Sequence, residues 1–158
     1  MFNAILIGAG ATAFLDFTSV LRARLFSAPP PNYALVGRWL AHAARGRVLH
    51  DAIAKSPPVQ GEGAIGWTAH YVIGIAFAGA LLIVWPDWAS EPTLVPAMVV
   101  GIGSVLAPFL IMQPGMGAGL AASRTPDPNE ARLRSLVTHA LFGAGLYVAG
   151  WARLVAFP

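Results

Sequence analysis

The sequence predicts an all-α membrane protein: four transmembrane helices in a compact bundle, with two short amphipathic cytoplasmic helices, forming one integral membrane domain over residues 1–158. Two observations predict it. Hydrophobic residues make up 56% of the 158 and charged residues 11%, against roughly 25% charged in soluble domains; so few charges could not cover a soluble fold of this size. Four stretches also reach the ~20 apolar residues that a membrane helix needs. Cysteine is absent, which excludes disulfides, thiolate metal sites and cysteine nucleophiles. Ten basic residues against seven acidic ones give a net charge of +3, too dispersed for a nucleic-acid partner.

The spans are expected over about 2–22, 66–85, 93–112 and 135–155, leaving the connections 23–65 and 113–134. Span one carries a single charge, Asp16. It lacks a basic n-region and a small-residue cleavage pattern, so it reads as a retained helix rather than a secretory signal. Pro108 should kink span three, because proline removes a backbone donor and crowds the preceding turn. Arg153, near the end of span four, can extend to the interface. Small residues recur in the spans, among them Gly8, Gly74, Gly101 and Gly143, and in lipid such residues let backbones approach closely.

Orientation follows from the basic residues. The connection 23–65 holds Arg24, Arg38, Arg45, Arg47 and Lys55, and the connection 113–134 holds Arg124, Arg132 and Arg134. The short link 86–92 holds only Asp87 and Glu91. The positive-inside rule then places both basic connections in the cytoplasm and both termini in the periplasm. The expected location is a bacterial inner membrane, crossed several times.

Each cytoplasmic connection carries local signals. Asn32 reads as the N-cap of a helix with Leu35, Val36, Trp39, Leu40 and Ala43 on one face. Arg38, His42 and Arg45 lie on the other, toward headgroups. After Gly46, Val48, Leu49, Ala52 and Ile53 alternate with polar residues as in a second short helix, which ends at Ser56-Pro57-Pro58. Gln113-Pro114-Gly115-Met116-Gly117 reads as a tight backbone path with amides facing a cavity. No Gly-Lys-Ser/Thr follows, so it is not a Walker phosphate loop. Asp127-Pro128-Asn129-Glu130 has the order of a capping box, with Pro128 as first helical residue.

The polar residues inside the spans share a depth. Asp16, His70 and His139 each lie roughly 6–9 Å inward from the cytoplasmic end of their helix at 1.5 Å per residue. Gln113 ends the remaining span on that side, and His42, His50 and Glu62 lie just below. An ionisable residue within a span costs on the order of 2.5–3.5 kcal/mol on insertion scales and is by default a functional candidate. The candidate pocket is therefore Asp16, His70, His139 and Gln113, gated or completed by His42, His50 and Glu62. It suits a metal ion or a polar small molecule. For a divalent metal the ligands would be Asp16, His70 and His139, although no His-Glu-x-x-His or Glu-x-x-His motif is present. A haem held by two histidines leaves Asp16 without a part. A Ser–His–Asp hydrolase using Ser123 or Ser135 lacks a nucleophile-elbow sequence.

Two other classes stand beside this one. A small transporter or proton relay would use Asp16 with His70 or His139. A structural or accessory subunit would use the polar residues to fasten helices and the glycine-rich faces to dock a partner. Beyond the bilayer, the expected partners are further copies of the chain or another membrane protein.

Several motifs carry a resemblance. They are Asn32-Tyr33-Ala34-Leu35-Val36-Gly37-Arg38-Trp39, Gly46-Arg47 with His50-Asp51, and Gly66-Trp67 with His70-Tyr71. Gln113-Pro114-Gly115-Met116-Gly117, Ala122-Ser123-Arg124-Thr125-Pro126 and Arg132-Leu133-Arg134-Ser135 complete the set. Together they resemble a bacterial family catalogued as domain of unknown function 2938. The resemblance covers essentially the whole chain and implies a small inner-membrane protein. It brings no activity, cofactor or catalytic residue with it.

Overall fold

A computed structural model describes residues 1–27 and 29–157. Helices α1 (Phe2–Phe26), α2 (Tyr33–Ala43), α3 (Glu62–Val84), α4 (Leu94–Gly103), α5 (Gln113–Met116) and α6 (Pro128–Ala156) follow one another, and no strand occurs among the described residues. Among the described residues four helical stretches are long and apolar enough to cross a membrane: Phe2–Phe26, Glu62–Val84, Leu94–Met116 and Pro128–Ala156. The expected class holds, and each span extends beyond its purely apolar stretch. Span four starts at Pro128 because Asp127 Oδ1 accepts the Glu130 amide at 3.0 Å, as an N-cap should. Glu130 does not return the bond; its carboxylate pairs with Arg134 one turn on.

The third span is not a plain α-helix. Residues Pro108–Met112 form a π-turn between α4 and α5. Proline cannot donate to the ladder, and a one-residue bulge is a usual way to accommodate that loss.

The chain divides into two compact units. The first comprises Met1–Pro31, Tyr71–Ser104 and the residues from Val137 onward. Its core is built from Ile7, Ala11, Leu15, Ala78, Leu81, Trp88, Ala97, Phe142, Leu146 and Ala149. Glycines set how closely these helices pack. A Cβ on Gly8 would lie 2.8 Å from the Ile75 backbone nitrogen, and one on Gly101 would lie 3.0 Å from the His139 carbonyl oxygen. Near the chain ends, the rings of Phe2 and Phe157 meet edge to face at 5.7 Å.

The second unit comprises Asn32–His70 and Val105–Leu136. Here α2 crosses the start of α3 at Gly37 and Gly66. A Cβ on Gly37 would overlap the Glu62 carbonyl, and one on Gly66 would overlap the Tyr33 carbonyl. Asn32 occupies the N-cap position of α2, but its side chain caps nothing; the Leu35 amide bonds the Asn32 backbone carbonyl instead.

The second amphipathic helix is absent. Between Gly46 and Ser56 only Ile53–Lys55 is helical, as a 3₁₀ turn. The backbone groups that a helix would use are taken elsewhere. The Val48 carbonyl accepts from Trp39 Nε1 at 2.8 Å, the His50 amide donates to the Gly115 carbonyl at 3.0 Å, and the Arg47 carbonyl accepts from His50 Nε2 at 3.2 Å. The Gln113–Gly117 stretch also differs from expectation. It is helical to Met116, and the Gly117 and Ala118 amides donate to the Pro114 and Gln113 carbonyls, so those two amides close the helix end.

Candidate functional site

The expected pocket residues fall into the two units. In the first, Asp16 on α1 accepts from the Tyr71 hydroxyl at 3.0 Å through Oδ2. His139 on α6 lies 2.6 Å from Ser104 Oγ through Nδ1. Ser104 is buried and donates its one proton to the Gly101 carbonyl at 2.6 Å. It can therefore only accept from His139, whose Nδ1 carries hydrogen. Ser104 did not stand out in the sequence, and Tyr71 did so only as a neighbour of His70 in the His70-Tyr71 motif. Their partners are 55 and 35 residues away, and no periodic pattern reports such a pairing.

In the second unit His70 lies against Tyr33. The Tyr33 Oη and His70 Nε2 are 3.0 Å apart and the rings stack at 4.2 Å. Trp67 closes the group, 4.7 Å from the Tyr33 ring and 5.8 Å from the His70 ring. Gln113 Nε2 donates to Ser135 Oγ at 3.4 Å, while its Oε1 is buried with no hydrogen-bond partner.

Three of the expected residues, His42, His50 and Glu62, do come together, in a knot that also contains Arg38 and Ser56. Arg38 forks onto Glu62, Nε to Oε2 at 2.8 Å and Nη2 to Oε1 at 2.7 Å. Its Nη1 reaches the Ser56 carbonyl at 3.1 Å and the Ala54 carbonyl at 3.3 Å. Glu62 also accepts the Val59 amide at 2.9 Å. Hydrogen-bonded to this carboxylate, the Arg38 guanidinium is held above even its ordinary pKa. His42 Nε2 donates to the Pro57 carbonyl at 3.0 Å. His50 is buried, with Nδ1 on Ser56 Oγ at 2.8 Å, and the two imidazoles meet edge to face at 5.2 Å. His50 Nε2 must be the protonated nitrogen, because the Arg47 carbonyl can only accept; in the neutral ring Nδ1 then accepts from the serine.

This corrects the sequence expectation for α2. Arg38 and His42 turn toward residues 54–62 of their own unit instead of toward headgroups. Three nearby carbonyls and one carboxylate offered them fixed acceptors, a feature of the folded connection that a helical wheel does not contain.

Among the described residues no group of three or more His, Cys, Asp or Glu side chains is placed to hold a metal ion. The three residues expected as metal ligands are Asp16, His70 and His139. Each is bonded to a hydroxyl-bearing side chain: Tyr71, Tyr33 and Ser104 in turn.

A family model described as protein of unknown function (DUF2938) matches residues 5–153. No curated protein and no solved structure matches the chain.

Proposed function

We propose that this chain, which belongs to the family described as protein of unknown function (DUF2938), is a structural or accessory subunit of the bacterial inner membrane, with its basic connections in the cytoplasm. The observation that supports this role is that its ionisable candidates are bonded within the protein. Asp16, His139, His70, His42, His50 and Glu62 each hold at least one hydrogen bond inside their own unit. Polar side chains so used fasten helices, at about 0.6–1.7 kcal/mol per bond in membrane proteins. A binding site or a proton path would instead keep such groups available to an incoming partner.

Reconstitution tests the role. Vesicles containing the protein should show the proton leak of empty vesicles, and Asp16→Asn should lower thermal stability without changing that leak. A leak well above that of empty vesicles, abolished by Asp16→Asn, would establish a relay and overturn the accessory role. Orientation is tested by cysteine labelling, which the cysteine-free chain makes clean. With an impermeant maleimide, Asp87→Cys should label in intact spheroplasts and Lys55→Cys only after permeabilisation; the reverse pattern inverts the topology.

One observation favours a second role, the binding of a polar small molecule. Gln113 Oε1 is a buried acceptor without a donor, an arrangement that costs free energy unless a guest supplies an N–H or O–H. A thermal-shift series of amines and polyols tests it. Stabilisation that Gln113→Leu abolishes supports binding, and no stabilisation leaves the accessory role alone.

A further inference from the structure

Residues 44–49, between α2 and the 3₁₀ turn at Ile53, form an exposed stretch that is nevertheless tied down. The Arg45 and Arg47 amides both bond the His42 carbonyl at 3.0 Å, and the Gly46 amide bonds the Ala43 carbonyl at 2.9 Å. Trp39 and the buried His50 hold the Val48 and Arg47 carbonyls from beneath, and His50 is itself tied to Gly115. Gly46 turns the chain with φ +86°, a conformation that favours glycine. What this fixed loop presents outward is unusual. Leu49 is 73% and Val48 46% exposed, directly after Arg45 and Arg47, which are both exposed and have no ion pair among the described residues. No acidic residue occurs between Asp16 and Asp51, a stretch that holds five arginines.

We propose that the Arg45–Leu49 loop is a membrane-surface anchor that grips the anionic headgroup layer, with Val48 and Leu49 inserted among the acyl-chain ends and Arg45 and Arg47 on the lipid phosphates. An exposed aliphatic pair preceded by two exposed arginines matches that layer, which is apolar beneath and negatively charged at its surface. A protein partner would have to supply both a hydrophobic pocket and two carboxylates in matching positions. The bonds beneath the loop keep the ordering cost low, since its backbone is already fixed before contact. The anchor rests on the membrane assignment of the spans but not on the accessory role.

Single cysteines carrying nitroxide labels test the proposal in the full-length chain, in nanodiscs of phosphatidylglycerol mixed with phosphatidylcholine. A label at Leu49→Cys should be shielded from an aqueous nickel chelate and accessible to oxygen, while one at the exposed Lys55→Cys should behave as in water. Arg45→Gln and Arg47→Gln should each weaken the loop's partition into the surface by about fivefold, as expected for one cation at an anionic membrane. Pure phosphatidylcholine should weaken it in the same way. A Leu49 label as open to nickel as the Lys55 label in anionic discs overturns the anchor. So does spin–spin broadening between Leu49 labels without lipid shielding, which assigns the surface to a second copy. A label at Val99→Cys, on the 55% exposed face of α4, separates the two premises. If it too reads as aqueous, the spanning assignment has failed rather than the loop.

Discussion

Replacing Gly66 with alanine tests the contact on which the second unit is built. The added Cβ would overlap the Tyr33 carbonyl oxygen and lie 2.6 Å from the Tyr33 carbonyl carbon. Both are backbone atoms, so no side chain can swing aside. Bringing the carbonyl carbon out to 3.4 Å alone requires α2 to retreat by about 0.8 Å, the difference between 3.4 and 2.6 Å. That retreat stretches the Arg38–Glu62 fork, now at 2.7 and 2.8 Å, and the 3.0 Å contact of Tyr33 with His70. Overpacking of this kind costs about 1–3 kcal/mol. Gly63→Ala is the internal control. It lies one turn earlier on α3, and its Cβ would meet nothing within 4 Å, so helix propensity alone should stabilise it by up to about 1 kcal/mol. The two variants should therefore differ by about 1–4 kcal/mol. At about 2–4 °C per kcal/mol for a chain of this size, the Tm gap in detergent is about 2–16 °C. Equal melting temperatures for Gly66→Ala and Gly63→Ala would refute the close crossing of α2 over α3.

Ser104→Ala should lower stability by about 0.6–1.7 kcal/mol, because His139 Nδ1–H loses its acceptor inside the span; thermal unfolding in detergent measures it. Asp127→Ala should cost about 1 kcal/mol as a lost N-cap, whereas Asn32→Ala should cost nothing measurable, since the Asn32 side chain makes no cap bond; equal losses would contradict the two cap geometries. Trp39→Phe removes the donor to the Val48 carbonyl. Hydrogen exchange should then accelerate at Arg47 and His50, whose amides are held within the same bonded loop, while α6 stays protected.

The four spans were legible because a membrane helix declares itself through length and apolar content, which are properties of contiguous sequence. The Asp127 cap was legible for the same reason, its two bonded groups being three residues apart. The stretch after Gly46 was not. Its apolar spacing suits a helix, yet Trp39, His50 and Gly115 claim its backbone groups, and tertiary bonds of that kind override local preference. The polar residues were found by depth and type, but their partners were not. Arg38 meets Glu62 across 24 residues and Ser104 meets His139 across 35, distances over which composition carries no pairing information. Sequence depth placed Asp16, His70 and His139 at one level; which hydroxyl each one takes is decided by side-chain azimuth, which depth does not encode.

The π-turn at Pro108–Met112 changes azimuth in a way that affects how this chain can be edited. One surplus residue per turn rotates everything downstream by about 100° about the helix axis. A helical wheel drawn from Leu94 to Met116 with uniform periodicity therefore assigns the wrong compass direction to Gln113 and Gly115. Deleting one residue from 109–111 would leave the span apolar and its composition intact, yet swing Gly115 off the Trp39 indole that it abuts and pull Ser135 and Gln113 apart. At this point the protein should tolerate changes of letter far better than a change of count.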